Sequence, residues 1–116
     1  MVGEFVKSGD FKGEKHVPVV VVPVEVKKGE PFEVEVSVGK EIKHPNTMEH
    51  HIEWIDLYVK VENKPIVHLG RFEFEPVFTD PIIKTQIKLE QNAKLIVVSY
   101  CNLHGLWEGS IEVEVK

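Results

Sequence analysis

The stretch FEVEVSV at residues 32–38 decides the fold class of this 116-residue chain. Its apolar residues stand at every second position and alternate with Glu33, Glu35 and Ser37. Successive side chains of an extended strand point to opposite faces, so this alternation predicts a half-buried β-strand. No segment of ten residues sustains a 3.6-residue apolar period, which argues against amphipathic helices.

Six further segments carry strand signals of the same kind. They are Val17–Val26, His51–Val61, Ile66–Phe74, Ile82–Leu89, Ala93–Cys101 and Ile111–Val115. The first is apolar on both phases, which is typical of a strand covered on both sides. About seven short strands separated by turn residues predict an all-β fold, an immunoglobulin-like antiparallel β-sandwich. We expect residues 1–116 to form a single domain, with residues 1–12 as an N-terminal arm.

The charge balance excludes several classes of partner. The chain has 14 basic and 19 acidic residues, a net charge of −5, and Arg71 is its only arginine. We therefore expect neither nucleic-acid binding nor a polybasic membrane anchor. The longest apolar run, Val17–Val24, is far shorter than the roughly 20 residues of a membrane span. No secretory signal is visible, so a cytoplasmic location is expected.

One cysteine and six histidines are the unusual part of the composition. The histidines are His16, His44, His50, His51, His68 and His104. A lone Cys101 excludes an intramolecular disulfide and a metal site of four thiolates. The spacing Cys101-x-x-His104 lets the loop after a strand place a thiolate and an imidazole on one ion. Apart from His68, the histidines lie in three segments, at residues 14–16, 44–51 and 99–105. The loops of a sandwich meet at its ends, so these three segments are predicted to converge on one metal site.

The donor types restrict the metal. One thiolate with several imidazoles disfavours magnesium and calcium. Structural zinc needs four ligands, and the five candidates His16, His44, His50, Cys101 and His104 exceed that number. Copper and iron both stay open at this point. His51 follows His50 in an extended segment and should face the other way, whereas His68 is interpreted as a partly buried strand histidine.

Two functions without catalysis are also compatible with these residues. Cys101 and His104 on a β-sandwich with an upstream histidine also resemble a cupredoxin-like copper electron-transfer protein. Such sites usually have a methionine soon after the last histidine, but Leu106 and Trp107 follow here. The other alternative is a non-catalytic binding sandwich in which the histidines are incidental.

Three motifs together resemble superoxide reductase of the one-iron type, also called neelaredoxin. They are EKHVP at 14–18, HPNTMEHHI at 44–52 and SYCNLHGLW at 99–107, and the resemblance covers nearly the whole chain. The two-iron relatives have an additional four-cysteine domain, which a single cysteine excludes. The resemblance implies one iron ion (Fe2+/Fe3+) per subunit on an immunoglobulin-like sandwich. It also implies reduction of superoxide to hydrogen peroxide by an oxidoreductase.

Residue roles follow from the same resemblance. It implies four equatorial nitrogens and one axial thiolate, from His16, His44, His50, His104 and Cys101. Glu14 would close the sixth position in the oxidised state, and Lys15 would be a cation beside that position. Rubredoxin or a similar protein would return the electron, and the subunits would form a homotetramer.

Overall fold

The structure, a computed structural model, describes residues 1–9 and 15–116. Its strands are β1 (Pro18–Val21), β2 (Phe32–Val38), β3 (Ile52–Lys60), β4 (Val67–Glu73), β5 (Ile82–Ile87), β6 (Ala93–Cys101) and β7 (Gly105–Val113), and a 3-10 helix spans Val2–Glu4. They form a three-stranded sheet, β1-β2-β5, and a four-stranded sheet, β4-β3-β6-β7, with antiparallel neighbours throughout. The predicted all-β sandwich of about seven strands is confirmed. Within the described ranges, no helix has the length and apolar character needed to cross a bilayer.

The core lies between the two sheets, where the alternation predicted for residues 32–38 is realised. Val34 and Val36 on β2 are 0 % exposed, as are Leu95 and Val97 on β6. Their side chains belong to one buried cluster that joins both sheets. Burying a valine or leucine side chain stabilises the fold by roughly 1.5–3 kcal/mol, so this apolar face holds the two layers together.

The first predicted strand is shorter than its sequence pattern suggested. Strand β1 ends at Val21 instead of continuing to Val26, and Pro23 follows, a residue that has no N–H to donate to a sheet. Val24 is fully exposed, so the expectation of cover on both sides was wrong for this segment. Val26 is buried and forms only an isolated bridge to Val115.

The last predicted strand begins earlier than expected. Strand β7 starts at Gly105 instead of Ile111 and pairs with β6 along its whole length. Gly105 has a φ of 83°, a left-handed conformation that glycine adopts without steric cost. The chain therefore turns back immediately after His104, and the Cys101–Gly105 hairpin is tight.

The strand registers bring five strand ends to one end of the sandwich. Pro18 at the start of β1 pairs with Val38 at the end of β2. Cys101 at the end of β6 pairs with Ile52 at the start of β3 and with Gly105 at the start of β7. The three segments that adjoin these strand ends therefore lie together: one before β1, one between β2 and β3, and one between β6 and β7.

A buried carboxylate, Asp56, lies on the outer face of the four-stranded sheet and is 3 % exposed. Arg71 Nε and Nη2 donate to its two oxygens at 2.7 and 2.8 Å, and Tyr58 Oη donates at 3.0 Å. His68 Nε2 lies 3.4 Å away, with about half of the His68 side chain exposed on β4. The hydrogen bonds from Arg71 lower the pKa of Asp56, assisted by Tyr58 and opposed by burial.

We expect Asp56→Ala to lower the free energy of unfolding by about 2 kcal/mol near neutral pH, because it removes charge-assisted hydrogen bonds. The lowered pKa means that the ionised carboxylate stabilises the fold above the unfolded-state value of 3.8. That stabilisation is lost as the pH falls through the folded-state pKa, so the variant should lose less stability below about pH 4 than wild type. Urea unfolding over this pH range is the measurement. Glu33→Ala, at an exposed position of β2, is the control; an acid dependence in Asp56→Ala as steep as that of wild type would contradict the prediction.

Candidate metal centre

The segments with the predicted ligands meet at the end of the sandwich described above. His16 lies just before β1, and Cys101 is the last residue of β6. His104 lies in the hairpin between β6 and β7, while His44 and His50 lie between β2 and β3. The sequence prediction that three separated motifs converge is therefore met by the geometry.

Four donors form a compact group. His16, His50, Cys101 and His104 each offer one ligand atom, and these four atoms all lie within 4.8 Å of one another. Nδ1 of His104 lies 3.7 Å from Sγ of Cys101 and 3.1 Å from Nε2 of His16. The Cys101 side chain is 0 % exposed and His16 is buried, whereas His104 is exposed. The group is therefore open to solvent on one side.

His44 lies beside this group but is not one of its four members. Its ring centroid is 4.9 Å from that of His16 and 4.7 Å from that of His50, both in edge-on contact. The Nδ1–H of His44 donates to the carbonyl of Pro45 at 2.7 Å, which leaves the lone pair on Nε2. Among the described residues, Nε2 of His44 and Nε2 of His50 are buried without a hydrogen-bond partner.

The electrostatic environment keeps these imidazoles neutral. Burial lowers the pKa of His44 to about 4, opposed by its bond to Pro45 and assisted by the nearby His16, His50 and Lys15. Burial also lowers the pKa of His50, with His104 and Lys15 contributing repulsion. A neutral imidazole has the free lone pair that a metal ligand requires, so near pH 7 these rings are in the binding form.

A bound metal ion accounts for these donor atoms better than an empty site does. Buried nitrogens without partners are costly because they lose the hydrogen bonds that water would supply. A transition metal would satisfy the two Nε2 atoms of His44 and His50 together with the neighbouring sulfur and nitrogens. The donor types suit iron, copper or zinc and disfavour magnesium and calcium.

The resemblance implies two residues at the open position, Glu14 and Lys15, and of these the described part of the chain includes Lys15. Lys15 is partly buried next to His16, and its charge reaches His44 and His50, whose pKa values it helps to lower. Glu14 lies outside the described residues, as do residues 10–12 of the predicted arm.

Asn102 connects the hairpin between β6 and β7 to the segment between β2 and β3, a role that the sequence did not reveal. Its Nδ2 donates to the carbonyl of Glu49 at 2.9 Å, and its Oδ1 accepts from the N–H of His51 at 2.8 Å. The backbone on both sides of His50 is thereby held to the Cys101–His104 hairpin. His51 itself contacts the carbonyl of Thr47 through Nδ1 at 3.0 Å and is not one of the four grouped donors, in agreement with the prediction that it faces the other way from His50. The only sequence signal for Asn102 was its place between two candidate ligands.

Trp107 is the second residue whose contacts the sequence did not reveal. Its ring stacks on that of His16, with centroids 4.7 Å apart and an interplanar angle of 12°. Its Nε1–H donates to the carbonyl of His104 at 3.2 Å. One side chain therefore contacts two of the candidate ligand residues.

Comparison with known proteins identifies one family. The family model described as desulfoferrodoxin matches residues 8–110. The superoxide reductase of Pyrococcus furiosus is 44 % identical over an alignment of 127 positions, which covers 98 % of this chain and 100 % of that protein. Neelaredoxin of Megalodesulfovibrio gigas is 42 % identical over an alignment of 123 positions, which covers 95 % of each chain.

Solved structures give the same result. The structure of superoxide reductase (neelaredoxin) from Ignicoccus hospitalis superimposes with a TM-score of 0.89 at 41 % sequence identity. The match covers 100 % of this chain and 99 % of that chain. The similarity therefore extends over the whole sandwich, including the end that carries the donor group.

Proposed function

Because the chain belongs to the desulfoferrodoxin family, we propose that it is a superoxide reductase of the one-iron type. The reaction is one superoxide ion plus one electron and two protons giving one hydrogen peroxide, with no release of oxygen. The observation that carries the proposal is the convergence of a buried thiol and imidazole nitrogens at one point, two of the nitrogens without hydrogen-bond partners among the described residues.

Five side chains would hold the metal in this proposal: His16, His44, His50, Cys101 and His104. When bound there, one iron ion (Fe2+/Fe3+) per subunit would supply the one-electron redox chemistry. An imidazole binds a metal as a neutral ligand, so the Cys101 thiolate would be the only anionic ligand among the five. The thiolate would be buried, and electrostatic interactions are stronger in the protein interior than in water. A thiolate also donates electron density to a metal more strongly than an imidazole does.

Lys15 has the charge that the substrate requires. Superoxide is an anion, and a cation beside an open site raises its local concentration and its rate of arrival. An ammonium group can also donate a proton, directly or through water, to an oxygen atom that gains negative charge. The repulsion from Lys15 that helps to lower the pKa values of His44 and His50 supports this role.

We expect Lys15→Ala to slow the reaction with superoxide by about tenfold at low ionic strength and to weaken its dependence on salt. Lys15→Arg should retain most of the rate, since the charge is kept. Pulse-radiolysis kinetics at two salt concentrations measure both effects. Lys94→Ala, at the opposite end of β6 from Cys101, is the matched control. A rate in Lys15→Ala that equals the wild-type rate at low salt would remove this role, provided that the metal content is unchanged.

The remaining parts of the proposal rest on the resemblance of the motifs. Glu14 would be a carboxylate that closes the open position in the oxidised state and must leave before turnover. Rubredoxin or a similar small protein would return the electron after each cycle. The protein would work in the cytoplasm as a homotetramer.

The function is tested by metal analysis and product stoichiometry on the purified protein. We expect one iron per chain, a visible absorption band that disappears on reduction, and one peroxide formed per superoxide consumed without oxygen release. Copper with an intense thiolate band would instead favour a cupredoxin-like carrier. Release of oxygen in the ratio of dismutation would reject the reductase reaction.

A further inference from the structure

Trp107 on β7 contacts the donor group from two directions. Its indole lies parallel to the His16 ring at 4.7 Å, an arrangement that restricts rotation of that imidazole. Its Nε1–H donates to the carbonyl of His104 at 3.2 Å, which holds the hairpin backbone where the second imidazole begins. His16 and His104 are 88 positions apart in sequence, yet their facing nitrogens are 3.1 Å apart.

The indole is itself firmly held. Lys7 pairs with the backbone on both sides of Trp107, donating to the carbonyl of Leu106 at 3.0 Å and accepting from the N–H of Glu108 at 2.8 Å. The ammonium of Lys7 lies 5.4 Å from the centre of the indole, within the range of a cation–π contact. Position 107 therefore presents a fixed flat surface to the His16 ring.

The backbone of His16 is held from the same sheet. Ser99, the β6 partner of Trp107, is fully buried, and its hydroxyl donates to the carbonyl of His16 at 3.4 Å. The main chain of His16 is thus held by β6 and its ring by β7. The stack restricts the ring torsion, which a hydrogen bond to the backbone leaves free.

We propose that Trp107 is a positioning residue, whose stack on His16 holds that imidazole in its metal-binding orientation before any metal arrives. This inference rests on the metal centre of the proposed function. A ligand that is already oriented loses less conformational freedom on binding, so the ion is bound more tightly. Loss of a residue that orients a metal ligand typically weakens metal affinity by about 10- to 100-fold.

The second tryptophan gives a matched control. Trp54 lies on the outer face of the four-stranded sheet, where it stacks with Tyr100 at 5.6 Å and lies under the guanidinium of Arg71 at 4.0 Å. An effect on metal binding that follows Trp107 and not Trp54 therefore reflects the stack on His16 and not the loss of an aromatic residue from the sheet.

The test titrates Co2+ into the metal-free chain and records both the affinity and the ligand-field and thiolate bands. Trp107→Phe keeps a flat ring but has no N–H, whereas Trp107→Met keeps apolar bulk without a ring. We expect Trp107→Met to bind Co2+ at least about tenfold more weakly, with shifted bands, and Trp107→Phe to stay within about threefold of wild type. Trp54→Phe and Trp54→Met should bind as wild type does.

Each other outcome overturns a defined part of the inference. Wild-type affinity and bands in Trp107→Met would overturn the positioning role. A Trp107→Phe variant that is tenfold weaker would overturn the stack as its cause, and this holds even if Trp107→Met fails to fold by circular dichroism. A wild-type chain that binds no Co2+ would overturn the metal centre itself, a failure of the proposed function that the variants do not produce.

Discussion

Replacing Cys101 by serine is expected to lower the rate of superoxide reduction by more than about 100-fold and to abolish the thiolate-to-metal absorption band. Losing a residue that only supports a ligand already costs about 10- to 100-fold, and here a ligand itself would be lost. A serine hydroxyl is not ionised near neutral pH and is a poor substitute for a thiolate. Its volume is similar, so the fold should persist.

Two measurements separate the loss of the thiolate from damage to the fold. Urea unfolding of the metal-free chain should show a cost of only about 1–2 kcal/mol for a hydroxyl at this fully buried position. Metal analysis, absorption and stopped-flow kinetics on the loaded protein report the site. A Cys101→Ser protein that keeps the same absorption band would show that the band does not arise from the sulfur of Cys101.

Gly39→Ala is expected to destabilise the fold by at least about 2 kcal/mol and to weaken metal binding by more than tenfold. Gly39 has a φ of 89°, a conformation that costs a residue with a Cβ about 1–2 kcal/mol. A Cβ at this position would also lie 2.5 Å from the backbone nitrogen of His44. Backbone cannot yield as a flexible side chain can, so the segment that positions His44 must move.

Gly29→Ala distinguishes these two effects. Gly29 also has a positive φ, 74°, but a Cβ there would meet only the flexible side chain of Glu90, at 3.4 Å. It precedes β2 at the end of the strand remote from His44. Urea unfolding should show the backbone penalty in both variants, while Co2+ titration should show weakened binding only in Gly39→Ala. Equal metal affinity in the two variants would show that the contact of the new Cβ with the His44 backbone does not weaken metal binding.

The fold was predictable where a strand has one solvent-exposed face and one buried face. The alternation at residues 32–38 placed Val34 and Val36 in the core because a period of two has a single interpretation when one face is buried. The prediction failed at Val17–Val26, where apolar residues on both phases removed that information. It also placed the start of the last strand too late, because Gly105 to Ser110 lack a regular alternation although they pair with β6.

The sequence by itself determined which chemical groups are available, namely a lone thiol and several imidazoles in three motifs. It also indicated the family in which these motifs occur together. Only the tertiary structure decided how these groups face one another. The pairing of β3, β6 and β7 places His50, Cys101 and His104 together, and Asn102 and Trp107 acquire their roles through this pairing. Local pattern reflects the burial of one strand at a time, whereas the approach of residues 88 positions apart depends on strand register, to which the whole core contributes.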